Sequence, residues 1–139
     1  MIVYFDTSAL AKLFLHEDGT EAVRDLWTGS STRVTSVATY PEARAAIAGA
    51  ARSSRIGRGA ARRAVTELEG RLQTMDVVIL DEELSLSAGH LAETFGLRGY
   101  DAVHLATARS LDGGTTVVAT WDAARAQAAE RSGLGVASS

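Results

Sequence analysis

The chain opens on a short apolar run that ends at an acidic residue, and strand-like runs then alternate with helix-like segments. Residues 2–5 (Ile-Val-Tyr-Phe) are all apolar, as in a strand buried on both faces, and Asp6 follows them. Further strands are predicted at 33–36, 77–80, 116–120 and, at an edge, 133–137, with a turn at Gly113–Gly114. Helices are predicted at 8–16, 21–27, 39–52, 60–73, 82–95, 101–111 and 122–131. This alternation predicts a three-layer α/β/α fold with a mainly parallel central sheet.

Length and composition predict a single folded domain spanning residues 1–139. Of the 139 residues 46% are hydrophobic and 22% are charged, which is ordinary for a globular protein. The chain has no cysteine, which excludes disulfides, thiolate metal sites and cysteine nucleophiles. No apolar stretch approaches the roughly 20 residues that cross a bilayer, and no basic segment precedes the first strand. We therefore expect a cytoplasmic protein that does not use a membrane.

Charge is unevenly distributed along the chain. The net charge is -3, yet residues 44–71 hold seven arginines against two glutamates, a balance of +5 that leaves -8 elsewhere. A basic segment beside an acidic body suits a protein that binds a phosphate backbone and holds a metal in an acidic site. A solvated helix face would look the same, and charge alone leaves the two interpretations about even.

Four acidic residues are the candidate functional residues: Asp6, Glu42, Asp101 and Asp122. Asp6 and Asp122 follow two predicted strands, and ligands of parallel sheets bind beyond the carboxyl ends of strands. Two carboxylates about 4 Å apart repel by ~4 kcal/mol at an effective dielectric near 20, so acids that the fold brings together need a cation among them. A divalent metal held by carboxylates usually acts on phosphate groups.

A purely structural interpretation of these acids is also open. Asp6, Asp101 and Asp122 each stand where a helix N-cap is expected, and taken singly each is better explained as a cap. Glu42 follows Pro41 and could be an exposed residue of a first helical turn. A cap can also point at a metal, so the two roles are compatible. With three other acids so placed, we favour a functional role for Glu42.

Other catalytic motifs do not occur in the chain. It has no Gly-x-x-x-x-Gly-Lys-Ser/Thr loop, no His-Glu-x-x-His pair and no Gly-x-Ser-x-Gly elbow. Ser8, rather than a second acid, stands two residues after Asp6, which disfavours an aspartyl-phosphate enzyme. His104 lies one turn after Asp101, where a histidine is more often a core or supporting residue than a base, so we assign it no catalytic role.

Four segments together resemble the PIN-domain family, and within it the VapC ribonuclease toxins of bacterial toxin–antitoxin pairs. They are residues 6–10 (Asp-Thr-Ser-Ala-Leu), Glu42, residues 100–106 (Tyr-Asp-Ala-Val-His-Leu-Ala) and residues 120–122 (Thr-Trp-Asp). The resemblance runs through essentially the whole chain in order. It implies a PIN-like fold and an endoribonuclease that depends on Mg²⁺ or Mn²⁺ and inhibits translation.

The resemblance also implies roles for individual residues. The acidic quartet falls on Asp6, Glu42, Asp101 and Asp122, and the hydroxyls of Ser8 and Thr120 support it. We expect Asp6 and Asp101 to ligate one Mg²⁺ directly, with Glu42 and Asp122 acting through water or holding a second ion. We expect the RNA backbone, as a single strand or loop rather than a duplex, to bind Arg52, Arg55, Arg58, Arg62 and Arg63.

Relatives of this kind also suggest partners. The resemblance implies a homodimer and a small antitoxin protein that lays a segment, with a basic residue, across the active site. DNA would be bound only indirectly, through the antitoxin. Two other functions stay open: a catalytically inactive PIN-like module that binds RNA or a protein partner, and a phosphoryl-transfer domain phosphorylated on Asp6.

Overall fold

The computed structural model describes residues 1–111 and 115–138, so the turn predicted at Gly113–Gly114 lies outside the described residues. Within them, five strands form one sheet in the order β3-β2-β1-β4-β5, and every neighbouring pair is parallel. The strands are β1 (Ile2–Phe5), β2 (Thr32–Ser36), β3 (Asp76–Val78), β4 (Thr116–Ala119) and β5 (Gly135–Ala137). The predicted parallel sheet is confirmed, including its edge strand near the C-terminus.

Seven helices connect these strands in the described part of the chain. They are α1 (Thr7–Leu15), α2 (Thr20–Gly29), α3 (Thr39–Arg52), α4 (Arg58–Leu72), α5 (Glu82–Phe95), α6 (Gly99–Ser110) and α7 (Ala123–Arg131). None of them combines the length and apolar character that a membrane-spanning helix needs.

The clearest departure from the predicted elements is β3. The apolar run 77–80 predicted a strand to residue 80, but pairing with β2 ends at Val78. Ile79, 73% exposed, lies beyond the sheet. The strand stops because its partner ends at Ser36, and β3 is an edge strand with no neighbour on its other side.

Helices cover both faces of the sheet, which makes the fold three-layered as predicted. Val3 and Phe5 of β1 pack in a core with α1 to α4, whereas Tyr4 between them packs in a second core with α5 to α7. Successive side chains of a strand point to opposite faces, and all three are fully buried. Burial on both faces explains why the first run is continuously apolar.

The parallel arrangement places the carboxyl ends of neighbouring strands at one edge of the sheet. Phe5 pairs with Ala119, and the Asp6 amide donates to the Ala119 carbonyl oxygen at 3.2 Å. The segments that follow β1 and β4 therefore leave the sheet side by side. Helix α3, which carries Glu42, begins three residues after β2, the strand on the other side of β1.

Candidate active site

Asp6 is the most buried of the four candidate acids, at 1% exposure. It is the N-cap of α1, and its Oδ1 accepts from the Ala9 amide (2.9 Å) and the Ser8 hydroxyl (2.7 Å). Its Oδ2 accepts from the Thr120 hydroxyl (2.5 Å) and from Nη1 of Arg125 (3.0 Å). Four donors thus satisfy both oxygens of this buried carboxylate. The cap interpretation therefore holds for Asp6, and the cap fixes its direction.

Ser8 and Thr120 join the two strand ends around Asp6. The Ser8 hydroxyl accepts from the Trp121 amide at 2.8 Å and lies 3.3 Å from the Thr120 hydroxyl. The Thr120 oxygen in turn accepts from the Asp122 amide at 3.1 Å. Both hydroxyls thus hold Asp6 against the segment that follows β4.

Glu42 lies in the first turn of α3, with its side chain 23% exposed. Its Oε1 accepts from the Thr7 hydroxyl (2.7 Å) and lies 2.5 Å from Nε2 of His104. Burial by itself would raise the pKa of Glu42, but the hydrogen bonds from His104 and Thr7 and the charge of Arg125 outweigh it and lower this pKa. Glu42 is consequently an ionised acceptor.

His104, for which the sequence suggested a core or supporting role and no catalytic one, supports Glu42 from the core. It is 2% exposed, and its Nδ1 lies 2.6 Å from the Tyr4 hydroxyl of β1. Because Glu42 is an acceptor, Nε2 of His104 must be the donor to it, whether the ring is neutral or charged. Burial, and then the charge of Asp6, raise the pKa of Tyr4 well above its ordinary value, so its hydroxyl keeps its proton.

Asp101 is the third residue of α6, and the N-cap of that helix is Arg98. The cap interpretation is therefore wrong for Asp101, because the helix starts at Gly99, two residues earlier than predicted. The Asp101 side chain is 16% exposed, and its Oδ1 accepts from Nε of Arg125 at 2.6 Å. Its carboxylate thus faces a cation that another helix supplies.

Arg125 of α7 occupies the centre of this acidic group, and no sequence argument pointed to it. Besides its bonds to Asp6 and Asp101, its Nη2 lies 3.6 Å from Oε2 of Glu42, and its side chain is only 14% exposed. Burial alone would lower the pKa of Arg125, but Asp6 and Asp101 raise it by charge and hydrogen bonding. The guanidinium is therefore permanently charged.

Asp122 is placed differently from the other three acids. It is the N-cap of α7, and its Oδ1 accepts from the Arg125 amide at 2.9 Å. The structure thus gathers Asp6, Glu42 and Asp101 around one guanidinium and sets Asp122 at the start of the helix that carries it. The cap interpretation holds for Asp122, and its part in metal binding stays a prediction.

The donor set fits a hard divalent cation. Three carboxylates already converge on a single positive group, and Mg²⁺ and Mn²⁺ prefer oxygen ligands. Across residues 1–111 and 115–138, no three acidic or histidine side chains are grouped closely enough to hold a metal as they stand. As they stand, the three carboxylates contact the Arg125 guanidinium.

The arginines predicted to bind RNA lie away from the carboxylates. Arg52 follows Glu42 by ten residues on α3, which is about 15 Å along a helix. The Tyr40 hydroxyl donates to Glu69 at 3.0 Å, so the end of α4 lies beside the start of α3, and the start of α4 lies at the far end. Five arginines at this far end are exposed, and within the described chain none has a salt bridge: Arg52, Arg55, Arg58, Arg62 and Arg63.

Comparison with known proteins identifies the family. The PIN domain model matches residues 3–131. Ribonuclease VapC45 of Mycobacterium tuberculosis is 40% identical over 121 residues, 87% of this chain and 84% of that protein. Ribonuclease VapC46 of the same species is 34% identical over 134 residues, 96% and 95% of the two chains. The solved VapBC2 of Rickettsia felis, bound to a DNA fragment from its promoter, has a similar fold, with a TM-score of 0.67 at 14% identity over 100% of this chain and 99% of that one. The chain belongs to the PIN-domain family, and the two relatives described above are VapC ribonucleases.

Proposed function

We propose that this protein is a metal-dependent endoribonuclease that acts as the toxin of a toxin–antitoxin pair. The observation that carries the proposal is the convergence of Asp6, Glu42 and Asp101 on one cation at the carboxyl edge of the sheet. Membership of the family and the names of the two VapC ribonucleases support the same activity.

In this proposal Asp6 and Asp101 hold a Mg²⁺ or Mn²⁺ ion directly, and Glu42 and Asp122 act through water or at a second ion. When bound, the ion supplies Lewis acidity that activates a water and offsets charge on the phosphate. The chain's own groups fix the geometry of the site. Ser8 and Thr120 orient Asp6, as His104 and Thr7 orient Glu42.

The substrate proposed is single-stranded or loop RNA. The carboxylate site, reached through the partly exposed Glu42 and Asp101, lies apart from the exposed arginines, so an RNA strand longer than the cleavage site would contact both. Exposed arginines without acidic partners are free to pair with phosphates, and unpaired RNA can bend between two such surfaces.

Cleavage of a defined hairpin and its matched duplex by the purified protein tests this activity. We expect metal-dependent cuts in the hairpin loop, abolished by EDTA and restored by Mg²⁺ or Mn²⁺. Attack by water breaks the bond from phosphorus to O3′, so one product should end in a 3′-hydroxyl and the other in a 5′-phosphate. Cleavage that persists in EDTA, or 2′,3′-cyclic phosphate ends, would contradict the proposal.

The partners proposed are a small antitoxin protein and a second copy of the chain. The solved VapBC2 of Rickettsia felis, bound to a DNA fragment from its promoter, contains a chain of this fold. A basic antitoxin side chain would compete with the metal for the carboxylates. Co-expression with the product of a short neighbouring gene should yield a complex without cleavage activity, and sedimentation of the toxin alone should give a dimer. Unchanged cleavage in such a complex would contradict the inhibition.

A catalytically inactive module that binds RNA through its arginines is the second candidate, because Arg125 fills the acidic site. It predicts RNA binding that EDTA does not change and no cleavage at any Mn²⁺ concentration. Phosphoryl transfer through Asp6 is disfavoured, since each of its carboxylate oxygens already accepts two hydrogen bonds.

A further inference from the structure

The cation in the acidic site belongs to the chain itself. Arg125 is three residues past Asp122, in the first turn of α7, and its main-chain amide donates to the Asp122 cap. Helical side chains lean toward the N-terminus of their helix, which here carries the guanidinium toward the strand ends. The three guanidinium nitrogens, Nη1, Nη2 and Nε, then lie beside acids from three different parts of the fold: Asp6 before α1, Glu42 on α3 and Asp101 on α6.

We propose that Arg125 is an internal competitor of the metal ion: it fills the site in the metal-free protein and must leave when a divalent ion binds. This inference rests on the proposed function, since it takes the carboxylates to be the metal site. Oδ2 of Asp6 and Oδ1 of Asp101 are the atoms that Arg125 bonds at 3.0 and 2.6 Å. The same oxygen lone pairs cannot serve both an ion and a short guanidinium bond, and the two cations repel.

The competition has two opposite consequences for the protein. Without metal, the guanidinium relieves the repulsion among three carboxylates and so stabilises the fold. With metal, only molecules in which Arg125 has moved away can bind, and the measured dissociation constant exceeds the intrinsic one by the inverse of that fraction. If one molecule in ten is open, metal affinity is about tenfold weaker than the carboxylates alone would give.

Metal binding without RNA tests the proposal, with Arg125→Gln compared against Arg131→Gln. Arg131 ends the same helix and lies 5.2 Å over the Phe95 ring, outside the acidic site. Electron paramagnetic resonance measures the binding of Mn²⁺. The melting temperature, Tm, is measured once in EDTA and once in Mn²⁺. For Arg125→Gln we expect a dissociation constant lower by about tenfold or more, a lower Tm in EDTA and a larger rise of Tm with Mn²⁺. Arg131→Gln should match the wild type in its Mn²⁺ dissociation constant.

An Arg125→Gln variant that binds Mn²⁺ equally well or more weakly than the wild type would overturn the competition. In that case a wild type that binds Mn²⁺, and an Asp6→Asn variant that does not, would leave the proposed function intact. If neither the wild type nor Arg125→Gln binds Mn²⁺, both proposals fail.

A second measurement uses the wild type, so that the test does not depend on the variant folding. The Nε–H group of Arg125 donates to Asp101 and should give its own nitrogen–proton NMR signal. Saturation with Mg²⁺ should shift this signal strongly or remove it by exchange with water. A signal that stays in place while Mg²⁺ saturates the protein would overturn the proposal.

Discussion

Nε2 of His104 lies 2.5 Å from Oε1 of Glu42, and this contact ties a site carboxylate to the buried core. The other ring nitrogen lies 2.6 Å from the Tyr4 hydroxyl of the central strand β1. Glu42 is on a different helix and only partly buried, so this connection, together with the hydrogen bond from Thr7, sets its direction. The contacts from Tyr4 through His104 to Glu42 therefore fix the Glu42 carboxylate relative to the central strand of the sheet.

Replacing Tyr4 with Phe removes one hydroxyl and frees the His104 ring to turn away from Glu42. We expect the cleavage rate at low metal to fall by about 10- to 100-fold, as when supporting partners of metal ligands are lost. Initial rates over a series of Mn²⁺ concentrations would measure it, and high Mn²⁺ should restore part of the rate. Tyr40→Phe, which removes an exposed hydroxyl between Arg44 and Glu69, is the control and should cleave normally. Normal cleavage by Tyr4→Phe at low metal would refute the connection.

Thr120→Val tests the hydroxyl that holds Asp6. The Thr120 side chain is fully buried and donates to Oδ2 of Asp6 at 2.5 Å, and valine keeps its shape without the donor. Leaving a buried carboxylate short of a donor should lower the free energy of unfolding by about 1–3 kcal/mol. Urea denaturation measures the change. The exposed Thr66→Val on α4 should lie within about 0.5 kcal/mol of the wild type. An equal, small change in both variants would contradict the role of Thr120.

Gly19→Ala should destabilise the fold through contact with Trp121. Gly19 has φ of 93°, and an added Cβ would lie 2.7 Å from Nε1 of the Trp121 indole. Both the backbone conformation and the close approach favour glycine, so we expect a loss of more than about 1 kcal/mol. Gly89→Ala, inside α5 with nothing within 4 Å of its Cβ, should instead stabilise by about 0.5–1 kcal/mol. Thermal unfolding should show a lower Tm for Gly19→Ala and a higher Tm for Gly89→Ala than for the wild type. A stabilised Gly19→Ala would contradict the packing of Gly19 against Trp121.

Arg62→Gln with Arg63→Gln tests the exposed arginines as an RNA surface. Each lost phosphate contact should reduce the slope of log K against log salt by roughly 0.7 for a single strand. Binding titrations at several salt concentrations measure this slope. The cleavage rate of the double variant at saturating RNA should equal that of the wild type. Arg24→Gln removes an arginine already paired with Glu21 and should keep the wild-type slope. An unchanged slope in the double variant would place the RNA elsewhere.

The order of elements could be predicted because each carries a local pattern. The continuous apolar run of β1 marks a strand covered on both faces, and alternation with helices leaves few arrangements other than a parallel sheet. A parallel sheet then places Asp6 and the segment after β4 at one edge. The resemblance to the PIN-domain family, which the family match confirms, rests on the segments that hold Asp6, Glu42, Asp101 and Asp122.

The inner contacts of the site could not be predicted, because they join residues remote in the chain. Arg125 is 119 residues from Asp6 and stands among small residues of a short helix, with no local pattern to distinguish it from a solvated arginine. His104 and Tyr4 are 100 residues apart, and only packing of α6 on the sheet brings them together. A histidine one turn after Asp101 was the single local hint.

Cleavage by Asp101→Asn tests the central claim most directly. Asparagine keeps the size of the side chain and an oxygen for Arg125, so circular dichroism should show the wild-type fold. With Mg²⁺ present, we expect cleavage of the hairpin RNA to fall by more than about 100-fold, beyond the usual loss for supporting residues. Asp25→Asn, on the exposed surface of α2, should cleave as the wild type does. Full activity in a folded Asp101→Asn protein would contradict a carboxylate-held metal as the basis of catalysis.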